Sequence, residues 1–256
     1  MDLQHKSQPK VVAIIPARYH SNRFEGKPLA LILGKPMIQR VYERARAVPL
    51  LSRVVVATDD ERIADCVRGF GGEVVMTRAD HASGTDRLAE AASLLDISEQ
   101  DVVVNIQGDQ PLFPAEVVEQ VATPLLQDPA LPMATLIYKI TRPEEITDPN
   151  HVKTVFDRNG NALYFSRSPI PFQRDPAEKI PPTYYKHLGF YAYRKGFLLT
   201  FVGLPEGEWE RFEKLEQLRA LEYGYTIKVL LTEHDSIEVD TQKDLERVED
   251  VLRSIC

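Results

Sequence analysis

The sequence predicts an α/β domain with a three-layer, mostly parallel sheet. Two patterns carry that prediction: short apolar, β-branched runs, and amphipathic stretches of helical period between them. A third pattern, closely spaced prolines in the second half, predicts an excursion of hairpins and loops out of the sheet. With 256 residues and 43% hydrophobic content, the chain suits a single domain over 1–256, with the excursion at about 133–190.

Residues 11–15, VVAII, read as a buried strand that Pro16 is expected to stop. Residues 38–48 then put Ile38, Val41, Tyr42 and Ala45 on one helical face. A second strand covers 53–57, and Asp59 or Asp60 can cap a helix over 61–70 that Gly71 and Gly72 end. Residues 73–76 form a third strand. The polar segment 77–87 leads into a helix over 88–95, capped by Thr85 or Asp86. A fourth strand, 101–106, runs into Gln107, Gly108 and Asp109, and Pro114 opens a helix to about residue 127. Residues 133–140 are again a strand. Prolines at 143, 149, 169, 171, 176, 181 and 182 then alternate with short strands at 152–156 and 163–165, and Asn159 with Gly160 makes a hairpin turn. The exposed strands of this excursion could cover a substrate or form a dimer interface. Residues 184–193 return as a strand, followed by helices after Arg194 and over 209–223 and a strand at 226–231. A short strand at 236–240 precedes a last helix capped by Asp240 or Thr241.

A net charge of −7 argues against a general nucleic-acid or membrane-surface binder. An acidic protein that handles a polyanion must concentrate its cations locally or recruit metal ions. The first ten residues are polar, and no apolar run approaches the ~20 residues of a membrane helix. The two cysteines, Cys66 and Cys256, offer neither a disulfide framework nor metal-ligand spacing. A cytoplasmic location is expected, with no nucleic-acid or membrane partner.

Local concentration of cations is what the loop after the first strand shows: Arg18, Arg23 and Lys27, with Gly26 before the lysine. Such a loop offers backbone N–H groups and positive charge to an anion with several oxygens, a triphosphate above all. A solvated basic loop is the plainer reading, but the end of a strand in an open α/β sheet is where ligands bind. The loop is neither a Walker A motif nor a G-x-G-x-x-G fingerprint, which disfavours a dehydrogenase. Arg78 and Arg87 flank a small-residue turn that could contact an anion or a base. Asp109, at the carboxyl edge of the fourth strand, is a turn residue or an Mg²⁺ ligand. Asp240 is a helix cap or a second Mg²⁺ ligand opposite it. His187, within an aromatic strand, is a hydrogen-bonded core residue or a donor to a substrate oxygen.

Residues 16–29 match the sugar nucleotidyltransferase signature P-A-R-x-x-S-x-R-x-x-G-K-P-L, with Ser21 at its serine. Together with VATDD, MTRADHASGTDR, VNIQGDQP, NALYFSRSPIPF, YKHLGFYAYR, LEQLRALEYG and VDTQKDLERV, the chain from 11 to about 252 resembles the 3-deoxy-manno-octulosonate (KDO) cytidylyltransferase family. The resemblance implies a Rossmann-like nucleotide-diphospho-sugar transferase fold and a homodimer formed by the excursion. It also implies an Mg²⁺-dependent reaction of CTP with the sugar acid in bacterial lipopolysaccharide biosynthesis, giving a CMP-sugar and pyrophosphate. Carried over by motif, Arg18, Ser21, Arg23 and Lys27 would hold the triphosphate, and Arg78, Ser83 and Gln107 would line the cytidine side. Asp109 and Asp240 would bind metal and, with Arg18 and Lys27, form the catalytic set. Arg167, His187, Glu216 and Gln217 would face the sugar acid.

Two departures stand out: Glu25 adds a negative charge beside the phosphate loop, and Gln110 replaces the usual glutamate of G-D-E-P. The wider family includes enzymes for 8-amino-KDO, so either sugar is a candidate. A sialic-acid-type CMP-sugar synthetase and a non-catalytic CTP-binding regulator are the competing readings.

Overall fold

Strand β1 (Val11–Ala17) lies near the middle of the sheet, with every residue but Pro16 buried. The computed structural model describes residues 8–20, 24–175, 182–236 and 238–255. The remaining elements are the ribbon β2 (Leu31–Ile32) and β3 (Lys35–Pro36), α1 (Met37–Arg46), β4 (Arg53–Thr58), α2 (Glu61–Gly69), β5 (Val74–Met76), α3 (Gly84–Leu94), β6 (Val102–Asn105), α4 (Ala115–Gln127), β7 (Met133–Lys139), α5 (Glu144–Thr147), β8 (Lys153–Phe156), β9 (Ala162–Ser166), β10 (Tyr185–Arg194), α6 (Lys195–Gly203), α7 (Glu208–Glu213), α8 (Leu218–Glu222), β11 (Ile227–Thr232) and α9 (Gln242–Ile255).

The sheet runs β11-β7-β10-β6-β1-β4-β5, and the hairpin β8–β9 joins it through β10. Its pairs are parallel except around β10, which lies antiparallel to β6, β7 and β8, and within the β8–β9 hairpin. Alternation along β1 feeds two cores. Val11, Ala13 and Ile15 pack toward α1, α2 and α4, while Val12 and Ile14 pack toward α3, α6 and α8. A third, smaller cluster seats Leu245 and Val248 of α9 on Ile32 and Met37.

Several boundaries differ from the sequence expectation, each for a physical reason. Pro16 does not stop β1. Pairing with β6 ends at Ile14, whereas pairing with β4 continues through Pro16 and Ala17. Ile14 O accepts from Ile106 N on the β6 side, so the missing proline N–H falls on that same side, beyond the last pair. Strands β7 and β10 belong to the central sheet, so the excursion contracts to residues 140–184. The helix expected over 209–223 breaks in two, because Lys214 adopts φ 53 and ends α7. α3 starts earlier than expected: Ser83, rather than Thr85 or Asp86, is its N-cap, in a capping box with Asp86. Asp60, not Asp59, caps α2. The segment 236–240 forms no strand among the described residues.

Candidate active site

The chain leaves β1 toward β4 and leaves β6 in the opposite lateral direction, toward β7, which opens a crevice at their carboxyl ends. A cavity of about 300 Å³ fills that crevice. Arg18 and Lys27 line it from the β1 loop, Gln107 and Asp109 from the β6 loop, and Ser83 and Gly84 from the first turn of α3. The eleven-residue α3 therefore presents its N-terminal N–H groups to the same space, an arrangement suited to phosphate oxygens.

Two glycines make the crevice possible. Gly26 adopts φ +67, and its N–H closes the β1 loop onto Tyr19 O at 2.9 Å. A Cβ there would also press on the Tyr19 ring at 3.1 Å, over whose centre the Arg62 guanidinium lies. At Gly108 a Cβ would come within 3.0 Å of Pro16 O, so only glycine lets the β6 loop pass this close to β1.

Lys27 Nζ donates to Asp109 Oδ2 at 2.7 Å and to Asp240 Oδ1 at 3.2 Å. The ammonium thus marks a point between two carboxylates that a single cation can reach. Mg²⁺ is commonly held by one or two carboxylates completed by water and substrate phosphates, so this donor pair suits it. Among the described residues no group of three or more His, Cys, Asp or Glu side chains could hold a metal unaided.

Asp240 also borders a second cavity, of about 540 Å³, together with His187, Lys186, Arg142, Arg247 and Glu238. Lys186 is buried between Glu145 Oε1 at 3.0 Å and Asp235 Oδ2 at 2.9 Å. His187 packs against Phe165 and Tyr191, with Nε2 at 2.9 Å from Thr135 Oγ1. Thr135 has one hydroxyl proton, directed to Phe190 O at 2.8 Å, so His187 Nε2 carries the ring proton and donates it to Thr135. In that tautomer Nδ1 is an acceptor.

Burial pushes the His187 pKa down to about 3. The unfolded chain takes up this proton near pH 6.5 and the folded one only near 3. This histidine therefore lowers stability as pH falls through that window and costs nothing above it. His187→Gln is expected to flatten the loss of stability between pH 7 and 4.5, measured by urea unfolding. An unchanged pH slope would contradict the buried, neutral imidazole.

Of the residues singled out from sequence, Arg18, Lys27, Ser83, Arg87, Gln107, Asp109 and Asp240 converge on the first cavity, and His187 with Asp240 on the second. Ser21 and Arg23 lie outside the described residues. The others are placed elsewhere. Arg78 is largely exposed, its side chain 3.7 Å from Asp80 and Glu90. Arg167 donates to the carbonyls of Glu213, Pro149 and Lys214, so its guanidinium ties the excursion to the α7–α8 break instead of lining the second cavity. Glu216 accepts from Ser83 Oγ at 3.2 Å and Thr85 Oγ1 at 2.8 Å, which braces the start of α3, and burial raises its pKa. Gln217 is buried at the start of α8.

Arg87 was legible only as a loop cation. It is buried, donates to Thr77 Oγ1 at 2.5 Å, and sits 3.0 Å from Asp59, which explains why Asp59 is not the cap of α2. Arg142, Lys186, Glu238 and Arg247 were missed. They come from four separate segments, and no motif of local spacing links them.

A nucleotide-sized cavity at the switch point of a mostly parallel sheet, cationic on one wall and with paired carboxylates on the other, defines a nucleotidyltransferase-type α/β protein. The cytidylyltransferase family model matches residues 12–230. A 3-deoxy-manno-octulosonate cytidylyltransferase of Syntrophus aciditrophicus is 61% identical over 243 residues, covering 95% of this chain and 97% of that relative. An 8-amino-3,8-dideoxy-manno-octulosonate cytidylyltransferase of Shewanella piezotolerans is 56% identical over 236 residues, covering 92% and 95%. The solved structure of a CMP:2-keto-3-deoxy-manno-octonic acid synthetase complexed with CTP superposes with a TM-score of 0.90 at 45% identity, covering 96% of this chain and all of that one. The chain belongs to the 3-deoxy-manno-octulosonate cytidylyltransferase family of cytidylyltransferases.

Proposed function

We propose that this protein transfers the cytidylyl group of CTP to the C2 hydroxyl of KDO or of its 8-amino analogue, for lipopolysaccharide biosynthesis. The observation that carries this reading is the shared wall: Asp240 borders both the cation-lined cavity and the second, mixed-charge cavity. A donor nucleotide in the first and a sugar acid in the second would meet at that wall.

The chemistry asks mainly for positioning and charge stabilisation. Arg18, Lys27 and the α3 N-terminus hold the triphosphate with its α-phosphorus toward Asp240. The cations of the second cavity, Arg142 and Arg247 among them, suit the sugar's carboxylate. The sugar hydroxyl attacks in line; its bond to the α-phosphorus forms as the α–β bridging bond breaks, pyrophosphate departs and the hydroxyl proton is released. Asp109 and Asp240 would hold Mg²⁺, which when bound supplies phosphate charge neutralisation and polarisation of the attacking hydroxyl.

Pyrophosphate release from CTP, with KDO, 8-amino-KDO and a sialic acid offered separately with and without Mg²⁺, tests the reading. Mg²⁺-dependent turnover with one of the first two is expected. Turnover with the sialic acid alone, or CTP binding without turnover, would overturn it.

The reading includes a homodimer. Leu163 on β9, Phe172 in the excursion and Phe212 on α7 are 60%, 83% and 73% exposed, apolar side chains that a second copy would cover. Light scattering should then give about twice the 29.0 kDa chain mass, and Phe212→Glu should shift it toward one chain. A monomeric wild type would remove the dimer.

A further inference from the structure

Gln110 is fully buried although it carries an amide. Its Nε2 donates to Ser236 Oγ at 2.9 Å and to Glu238 Oε1 at 3.1 Å. Both partners belong to the segment that delivers Asp240, and both line the second cavity, with Gln110 behind them. One residue further along, Val239 N donates to Asp109 O at 2.9 Å. Segment 236–240 forms no strand among the described residues, so contacts of this kind hold it to the β6 loop in place of a sheet ladder.

We propose that Gln110 and Glu238 are a matched pair that positions Asp240 opposite Asp109 and shapes the wall of the sugar-acid cavity. The role assigned to that cavity rests on the function proposed above. The matching follows from charge. A carboxylate at 110 would bring a further acidic oxygen to within about 3.1 Å of Glu238 Oε1, beside Asp109 and Asp240. The amide supplies the N–H that a carboxylate lacks. Its orientation is set as well, because a reversed amide would place Oε1 against that same oxygen. The strand behind it is close, since a Cβ on Gly189 would lie 3.6 Å from Nε2. Glutamine at 110 thus complements glutamate at 238. The pair bears on the sugar acid more than on CTP, because Glu238 lines the second cavity and not the first, which the pair reaches only through Asp240.

The test is a cycle of wild type, Gln110→Glu, Glu238→Gln and the double variant, read by kinetics and by thermal unfolding. Gln110→Glu is expected to raise KM for the accepted sugar acid by about tenfold or more, with KM for CTP changed less than about threefold. Glu238→Gln keeps an N–H···O contact and should lower the melting temperature less than Gln110→Glu does. The double variant reverses the donor and acceptor and should recover most of both the sugar KM and the melting temperature. An unaffected Gln110→Glu variant, a double variant no better than Gln110→Glu, or equal damage to CTP and sugar would each overturn the pair. If the wild type turns over none of the sugars, the proposed function falls by itself. The melting temperatures then decide the pair: recovery in the double variant supports it and additive losses overturn it.

Discussion

Asp109→Asn is expected to reduce turnover roughly 10³-fold, about 4 kcal/mol of transition-state stabilisation, while leaving the fold intact. Asn keeps the size and one carbonyl oxygen of Asp109 but removes its charge. Lys27 then loses its 2.7 Å ionic partner, and a divalent ion loses one of two carboxylates. The side chain is part-exposed at the rim of the crevice, so no core packing changes and the melting temperature should move little. The informative measurement is turnover against Mg²⁺ concentration. Activity equal to wild type across the titration would remove Asp109 from the reaction. Recovery at high Mg²⁺ would show that its role is affinity for the ion.

Lys27→Ala is expected to raise KM for CTP by about 10- to 100-fold, roughly 1.4 to 2.7 kcal/mol, with a smaller change in KM for the sugar acid. The Lys27 side chain is 14% exposed and its ammonium sits between the carboxylates of Asp109 and Asp240, so without substrate it balances two negative charges. A triphosphate with its metal can take over that neutralisation and free the ammonium for phosphate oxygens. In the variant the two carboxylates face each other without it, and CTP must enter a more negative crevice. A selective loss of sugar affinity with unchanged CTP affinity would place Lys27 in the wrong cavity.

How much of this was legible in the sequence depends on the range over which each feature is encoded. Strands β1, β4 and β6 and the buried face of α1 could be read directly, since apolar periodicity is local and burial enforces it. The helix expected over 209–223 failed for the converse reason. Its composition is helical throughout, but Lys214 adopts a left-handed conformation where the chain turns to place Glu216 under Ser83. Tertiary contacts there override propensity.

The site divides along the same line. The phosphate loop and Asp109 sit on contiguous motifs at strand ends, where the backbone alone decides direction, and the structure brings Arg18, Lys27, Ser83, Gln107 and Asp109 together. Arg167 and Glu216 were assigned to the sugar acid, yet their hydrogen bonds go to the carbonyls around the α7–α8 break and to the α3 cap. Composition could not reveal that, because a guanidinium or a carboxylate reads the same whether a ligand or the protein satisfies it.

The sequence by itself determined the α/β architecture, the cationic loop after β1 and the family to which the chain belongs. Tertiary structure alone decided the antiparallel return of β10, the tautomer of His187, the second cavity and the matching of Gln110 to Glu238. The physical reason is distance along the chain. Lys27 meets Asp240 across 213 positions and Gln110 meets Glu238 across 128, so neither contact leaves a local pattern in the sequence.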